Sequence, residues 1–437
     1  MRSNKIYRRN TMITTELLKY VKEGKLDAKL LSIYGEENVE SQRARYCEAI
    51  SDFASVYGER DAFIFSVPGR SEISGNHTDH NHGKVLAGSI NLDIIAIASK
   101  TDDGVIKIKS KGFPEDVIDT NSYTSPDEND FFKSGALIAG MAKAFENGGY
   151  KKGGYVAYTT SNVFKGSGLS SSAAFEVMVG NILNYFYNDG RVENTEIAKM
   201  AQYSENVFFG KPCGLMDQMA CAVGGFVYID FEDTKNPVIE KIPFDLSAKG
   251  YALCIVNTGG NHADLNEDYA SVPQEMKSVA KHFGKEYLRQ LSKQDVLSDI
   301  QALREEVGDR AILRAIHFFN ENARVEKQAE ALKNEDTPKF FDFVKRSGRS
   351  SFMYLQNVFT TKNVREQGLS LALAITDSVL SGKGAAHRVH GGGFAGTIQA
   401  FVPFSLVEEY RSVIDSAFGS GACHVLRIRP DGAIKVL

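Results

Sequence analysis

From residue 13 to 57, apolar positions recur every three and four residues among many Lys and Glu, the period of an amphipathic helix. Residues 61–68 (DAFIFSVP) leave that period and predict a strand running into Pro68. After a Gly-rich turn, 85–98 predicts one or two strands, and 105–109 alternates like a strand with one exposed face. A helix is predicted over 131–147, a strand over 155–160, and helices over 171–187 and 195–209. The second half changes texture. Residues 251–257 (YALCIVN) form a short buried strand, and nearly everything from 264 to 380 reads as helix in several segments. A strand at 397–402, a further helix and a last strand near 425–429 close the chain. Strands and helices mix without regular βαβ alternation, so the class is α+β rather than doubly wound. The polar, proline-containing stretch 233–237 marks a seam. The expected organisation is a helical extension over 1–58, one domain over 59–245 and a second over 246–437.

Composition narrows the function. The 437 residues carry 51 Lys+Arg against 55 Asp+Glu, a net charge of −4, which excludes a basic nucleic-acid-binding surface as the main feature. No apolar run reaches the roughly 18 residues needed to cross a membrane. The five cysteines are odd in number and form no CxxC pair, which argues for a reducing cytoplasm and against a disulfide framework or a structural zinc site. Arg2, Lys5, Arg8 and Arg9 precede the first acid, Glu16; with no apolar core behind them, a solvated tail is expected rather than a targeting segment.

Four segments carry residues with chemistry to offer. Residues 68–83, PGRSEISGNHTDHNHG, pack Arg70, Glu72, Asn76, His77, Asp79, His80 and His82 between two predicted strands. Imidazole and carboxylate could hold zinc, but the order H-x-D-H-x-H is not the H-x-H-x-D-H of metallohydrolases. Short polar side chains on a turn suit a polyhydroxylated ligand better. Residues 166–174, GSGLSSSAA, precede a predicted helix. Glycines admit a ligand close to the backbone, a helix start attracts phosphate, and Ser170, Ser171 and Ser172 add hydroxyls. No GxxxxGK[ST] occurs, so this is not a Walker A loop, and a plain helix cap remains the alternative. Residues 391–396, GGGFAG, match G-x-G-x-x-G, but a strand-like run follows where a dinucleotide fold needs a helix. A tight turn, or backbone packed beside the phosphate loop, is expected instead. In 211–218, KPCGLMDQ, Asp217 sits among Leu215, Met216 and Ala220; buried there, a carboxylate must be paired or functional. Glu205, on the preceding predicted helix, is placed to reach a metal ion. A surface acid is the alternative for each.

Taken in order, PGR…GNHTDHNHGKVL, GSGLSSSAA, CGLMDQ and GGGFAG resemble the galactose/homoserine/mevalonate/phosphomevalonate (GHMP) small-molecule kinases, and among them the galactokinase family, over about residues 60–437. The resemblance implies a ribosomal-protein-like N-terminal domain and a ferredoxin-like, helix-rich C-terminal domain with the active site between them. It implies ATP- and Mg²⁺-dependent phosphorylation of the anomeric hydroxyl of D-galactose by a monomer or weak homodimer, with no nucleic-acid or membrane partner. Asp217 matches the aspartate taken as catalytic base, and Arg70 the arginine beside it. Asn76, His77, Asp79, Gly214 and Tyr269 match sugar contacts, Tyr269 through its spacing from His262. Gly166, Ser167, Gly168, Leu169, Ser170, Ser171 and Ser172 match the phosphate-cradling loop, and Ser172 and Glu205 the magnesium ligands.

The chain departs from the family pattern in places. Asn76 stands where Glu is usual, and Glu72-Ile73-Ser74 where Asn-Leu-Ile is usual. The usual proline opening the second motif is replaced around Phe164-Lys165, and Ala395 replaces a glycine. Asn donates and accepts hydrogen bonds, whereas ionised Glu only accepts. An altered hydroxyl preference is therefore expected at Asn76. N-acetylgalactosamine, a pentose or a uronic acid are the alternative substrates, and a non-catalytic sugar sensor is the alternative class.

Overall fold

The computed structural model describes residues 12–122, 125–164, 168–260 and 265–437. The basic residues 2–9, and Lys165, Gly166, Ser167 and His262, lie outside the described residues.

Two sheets organise the chain. The first contains β1 (Met12–Ile13), β2 (Asp61–Ser74), β3 (Lys84–Lys100), β4 (Val105–Ser110), β5 (Glu115–Asp119), β6 (Tyr155–Ser161), β7 (Phe226–Asp230) and β8 (Val238–Ile242). The second, in the order β10-β11-β9-β12, contains β9 (Tyr251–Asn257), β10 (Ala386–His390), β11 (Thr397–Pro403) and β12 (Cys423–Leu426). The chain then returns to the first sheet, where β13 (Ile434–Lys435) pairs with β2. Every pairing is antiparallel except that of β4 with β6.

The run at 85–98 is one strand, and its near-continuous apolar character has a physical reason: both of its faces are covered. Ile95 and Ile97 face a helical layer made by Thr14–Lys22, Asp27–Tyr34 and Val39–Tyr57. Ile94, Ala96 and Ala98 face the other way, into the core built with helix Ser171–Tyr187. The helical segment 13–57 is therefore three helices, the first two ended near glycines at positive φ, Gly24 and Gly35. The predicted helix 195–209 changes to a π-helical turn at Ser204–Phe208.

The far end of β3 (94–100) pairs with β6 and its near end (84–88) with β7, so the sheet divides around residues 89–93. Opposite this division β2 carries two register shifts, between Pro68 and Arg70 and between Glu72 and Ser74. Bulges bend and twist a strand, and Pro68, which has no N–H to give a ladder, sits at the first.

Helices Gly368–Leu380 and Val407–Phe418 pack on the second sheet. The long helix Asp309–Lys333 joins the cores, contributing Val325 and Ala329 to one cluster and Ala315 and Phe318 to another. Among the described residues no helix is long and apolar enough to cross a membrane.

Candidate active site

The first bulge aims Arg70 across the sheet. Its guanidinium grips Asp217 with two parallel hydrogen bonds, Nε to Oδ1 at 2.7 Å and Nη2 to Oδ2 at 2.8 Å. Asp217 lies in the first turn of helix Met216–Val223, where the helix dipole also favours a negative charge. Burial works against that charge, but the Arg70 cation, its hydrogen bonds and a donated bond from Ser170 Oγ outweigh it and hold the carboxyl below its ordinary range. A third of the Asp217 side chain (33%) remains open while Arg70 is nearly enclosed (9%). An ionised carboxylate with one open edge can accept a proton from a ligand at neutral pH.

Gly69 brings the phosphate loop to this pair. A Cβ there would lie 2.7 Å from the Leu169 carbonyl oxygen. That carbonyl accepts from the Arg70 N–H at 3.1 Å, and Gly168 O accepts from the Arg70 side chain. Ser170 adopts φ +59° immediately before helix Ser171–Tyr187, whose start has no side-chain cap. Its first N–H groups are thus left without intrahelical partners, as an anion site requires. Ser172 Oγ lies 3.4 Å from Glu205 Oε1. Glu205 is also held by Lys211 Nζ at 2.9 Å and Gln218 Nε2 at 2.7 Å. Gln218 Nε2 reaches a second carboxylate, Glu176, at 3.3 Å. Burial, with the Glu205 charge nearby, pushes the Glu176 pKa well above its ordinary value. Its signal in the sequence was an acid on the buried face of an apolar helix.

The sugar-type motif is held differently. The turn at 391–396 joins β10 to β11, a hairpin rather than a dinucleotide loop. It presents successive carbonyls: Gly391 O accepts from Asn76 Nδ2 at 2.6 Å, Gly392 O from His77 Nε2 at 2.8 Å, and Gly393 O from the Tyr269 hydroxyl at 2.9 Å. Asn76 is fully buried. Its other amide hydrogen goes to Glu72 Oε1 at 2.9 Å, and its Oδ1 accepts from Asn357 Nδ2 at 2.7 Å. The departures at 72 and 76 therefore meet in one hydrogen bond, with carboxylate and carboxamide exchanged. Glu72 in turn faces the buried Arg388 at 3.4 Å.

Gly214 is seated against Asp79: a Cβ on it would lie 2.7 Å from Asp79 Oδ2. Burial, and to a lesser extent the Asp217 charge, raise the Asp79 pKa, while burial lowers that of His77. His80 meets Asn81, and His82 stacks on Tyr287 at 3.8 Å. Among the described residues no three His, Cys, Asp or Glu side chains form a metal-sized group.

Sequence reasoning left one part of the site unassigned. A cavity of about 570 Å³ extends from Ser171 and Ser172 between Ser110, Thr159, Phe132 and Phe209. It is aromatic-walled and opens onto the start of helix Ser171–Tyr187.

Comparison with known proteins gives the following. The family model "GHMP kinases N terminal domain" matches residues 136–225, and the "Galactokinase galactose-binding signature" matches residues 51–100. A galactokinase of Actinobacillus pleuropneumoniae serotype 5b is 32% identical over 84% of this chain and 92% of its own length. A galactokinase of Streptomyces coelicolor is 29% identical over 86% of this chain and 94% of its own length. The crystal structure of Lactococcus lactis galactokinase complexed with galactose superposes with a TM-score of 0.72, at 23% identity, covering 88% of this chain and 98% of that one. Methanococcus jannaschii mevalonate kinase superposes at 0.58, with 15% identity, covering 84% of this chain and 98% of that one. The two-domain GHMP kinase fold is thus shared.

Proposed function

The chain belongs to the galactokinase family of the GHMP kinases, and from that membership we propose that it transfers the γ-phosphate of ATP to the C1 hydroxyl of D-galactose, giving galactose 1-phosphate and ADP. The observation that carries this reading is the bidentate Arg70–Asp217 pair at the mouth of the phosphate loop. Asp217 takes the C1 proton as the oxygen attacks phosphorus, and Arg70 keeps Asp217 ionised while facing the charge that develops on the transferring group. Phosphoryl transfer needs positioning and charge neutralisation more than covalent help. The start of helix Ser171–Tyr187 and the loop ahead of it hold the phosphates, and the cavity between Phe132 and Phe209 takes the base.

His77, Asp79 and Gly214 orient the sugar, and Tyr269 closes the pocket through the glycine hairpin. Both Asn76 amide hydrogens are committed to Glu72 and Gly391, so Asn76 holds the loop and its departure from the family leaves the sugar unchanged. Ser172 Oγ and the Glu205 carboxylate supply converging oxygen donors, the ligands magnesium prefers. An ion held there would offset phosphate charge. Five free thiols support the cytoplasm as its compartment.

The test is coupled ADP release with Mg-ATP across galactose, N-acetylgalactosamine, glucose, arabinose and galacturonate. Galactose is expected to give the dominant signal. Silence on galactose with turnover of another sugar would overturn the substrate. A sugar-dependent thermal shift without ADP from any sugar would overturn the kinase reading and leave a sensor.

A further inference from the structure

One buried anion ties the N-terminal helical layer to the site. Asp93, on β3, is fully buried. Its Oδ1 accepts from Arg45 Nη1 at 2.7 Å. Its Oδ2 accepts from the Tyr34 hydroxyl at 2.5 Å, from Ser66 Oγ, and from Arg429 Nη1 at 3.2 Å. Tyr34 also meets the Tyr46 hydroxyl at 2.8 Å. A lone carboxylate would not stay charged here, since burial raises its pKa. The Arg45 and Arg429 cations and the two hydroxyls outweigh burial and keep Asp93 ionised.

Both arms of the site start from this residue. Across β2, Asp93 faces Pro68, the residue before the bulge that carries Gly69 and Arg70. On the other side its N–H donates to Asn162 Oδ1 at 2.6 Å, and its carbonyl accepts from the Asn162 N–H at 3.1 Å. Asn162 follows the last residue of β6 and opens the segment that leads to Gly168. Arg45 Nη2 bridges the junction, donating to Asp93 O at 3.0 Å and Thr160 O at 3.1 Å. Val163, the next residue, packs on Gly69: a Cβ there would lie 3.0 Å from its Cγ1.

We propose that Tyr34 and Arg45 are positioning residues for phosphoryl transfer: through Asp93 and Asn162 they fix the direction in which the phosphate loop leaves β6 relative to Arg70. The N-terminal layer is then a strut for nucleotide alignment as well as a cover for the sheet. The proposal rests on the kinase reading above.

Arg45→Met, Arg45→Lys and Asn162→Ala test it, assayed well below each variant's unfolding midpoint. A misplacement of about 1 Å costs on the order of 100-fold in rate, so a partial loosening should lower kcat about 10-fold in Arg45→Met and Asn162→Ala. KM for Mg-ATP should rise several-fold while KM for galactose stays within about twofold, and Arg45→Lys should recover most of the loss. Variants that unfold at lower temperature but keep kcat and both KM values would overturn it, as would equal increases in both KM values. Should Arg45→Met fail to fold, Asn162→Ala decides, because it leaves all four donors to Asp93 in place. Calorimetric titration with a non-hydrolysable ATP analogue separates the two readings. Weaker analogue binding by Asn162→Ala supports the strut even if the wild type turns over no galactose. Unchanged analogue binding sinks the strut and leaves the kinase reading standing.

Discussion

The loop after β2 and the phosphate loop are held by different means. The loop from Ser74 to Lys84 is gripped from outside, by the glycine hairpin and by a long helix of the second half. On helix Asp309–Lys333, His317 and Glu321 are four residues apart and share a face. His317 Nε2 donates to Asn76 O at 2.9 Å. Glu321 accepts from Ser74 Oγ at 2.8 Å, the Gly75 N–H at 3.1 Å, Ser347 Oγ at 2.5 Å and Arg324. Asn322 Oδ1 takes the Lys84 N–H at 2.8 Å. The described part of the phosphate loop, from Gly168 to Ser170, instead hangs on Arg70 and on a left-handed serine. The difference fits the ligand proposed for each loop. Telling one hydroxyl arrangement from another needs donors and acceptors fixed in advance, and a fully satisfied buried network fixes them. A polyphosphate is recognised by field, which a helix start and one guanidinium supply.

The largest effect should come at Asp217. Asp217→Asn keeps size and some hydrogen bonding but removes the proposed base, so kcat should fall about 10²–10⁴-fold. Galactose and ATP-analogue affinities, read by calorimetry, should stay near wild type, because neither loop is held by the charge alone. A variant retaining most of its turnover would remove Asp217 from the chemistry. Next is Glu321→Ala, which strands Arg324 and three donors in a buried site; breaking such a pair costs about 3–5 kcal/mol. Urea unfolding should show that loss, and KM for galactose should rise more than KM for ATP. Equal changes would mean that the two loops share one support. On the other loop, Gly69→Ala sets a methyl 2.7 Å from Leu169 O, and overpacking of this kind costs about 1–3 kcal/mol. Its signature is the reverse, a raised KM for ATP with galactose affinity preserved.

Much of the candidate site could be proposed from the sequence because its motifs are local. Arg70, His77, Asp79, Gly168–Ser172 and Asp217 lie in short stretches where glycine, serine and polar residues cluster between apolar runs. The supports were not legible. Arg388 meets Glu72 across 316 positions and His317 meets Asn76 across 241, and nothing in either local pattern points to the other. Asn76, expected as a sugar contact, gives its amide hydrogens to Glu72 and to Gly391, the second 315 positions away, and its local pattern does not point to that partner. The α+β class and the strands with clear periodicity were readable. The strands Glu115–Asp119, Val238–Ile242 and Ala386–His390 were not, because charged and polar residues take up much of each. The stretch 356–367, expected within the helical run, is not helical.

Acid should loosen the sugar side first. Burial, with the Arg324, Arg388 and His77 charges nearby, lowers the His317 pKa to about 3, outweighing the bond to Asn76 O. Its Nδ1 meets Ser350 Oγ at 2.9 Å. Between about 6.5 and about 3 the unfolded chain binds a proton that the folded chain refuses, so stability falls as pH drops through that window, by about 1.4 kcal/mol per unit for this group. Denaturant titrations at pH 7, 6 and 5 should show the decline, and His317→Gln should flatten part of it. His390, also lowered to about 3 by burial, contributes a slope of the same sign that His317→Gln leaves in place. An unchanged slope in His317→Gln would place the acid-sensitive support elsewhere.

The smallest expected effect separates backbone from side chain in the phosphate loop. Ser170 contributes a left-handed φ of +59° and a hydroxyl that donates to Asp217 Oδ2. Losing that bond costs about 0.5–1.5 kcal/mol and removes one of the contacts that lower the Asp217 pKa. The acid limb of kcat/KM should therefore move to higher pH in Ser170→Ala by less than about one unit, because the Arg70 charge remains. Ser170→Gly removes the same hydroxyl but relieves the left-handed strain, since glycine populates positive φ freely. Equal acid-limb shifts in the two variants would assign the effect to the hydroxyl. A raised KM for ATP in Ser170→Ala alone would assign the loop's shape to its backbone. If neither variant moves the profile, Arg70 by itself sets the ionisation of Asp217, and the phosphate loop is coupled to the base through one side chain only.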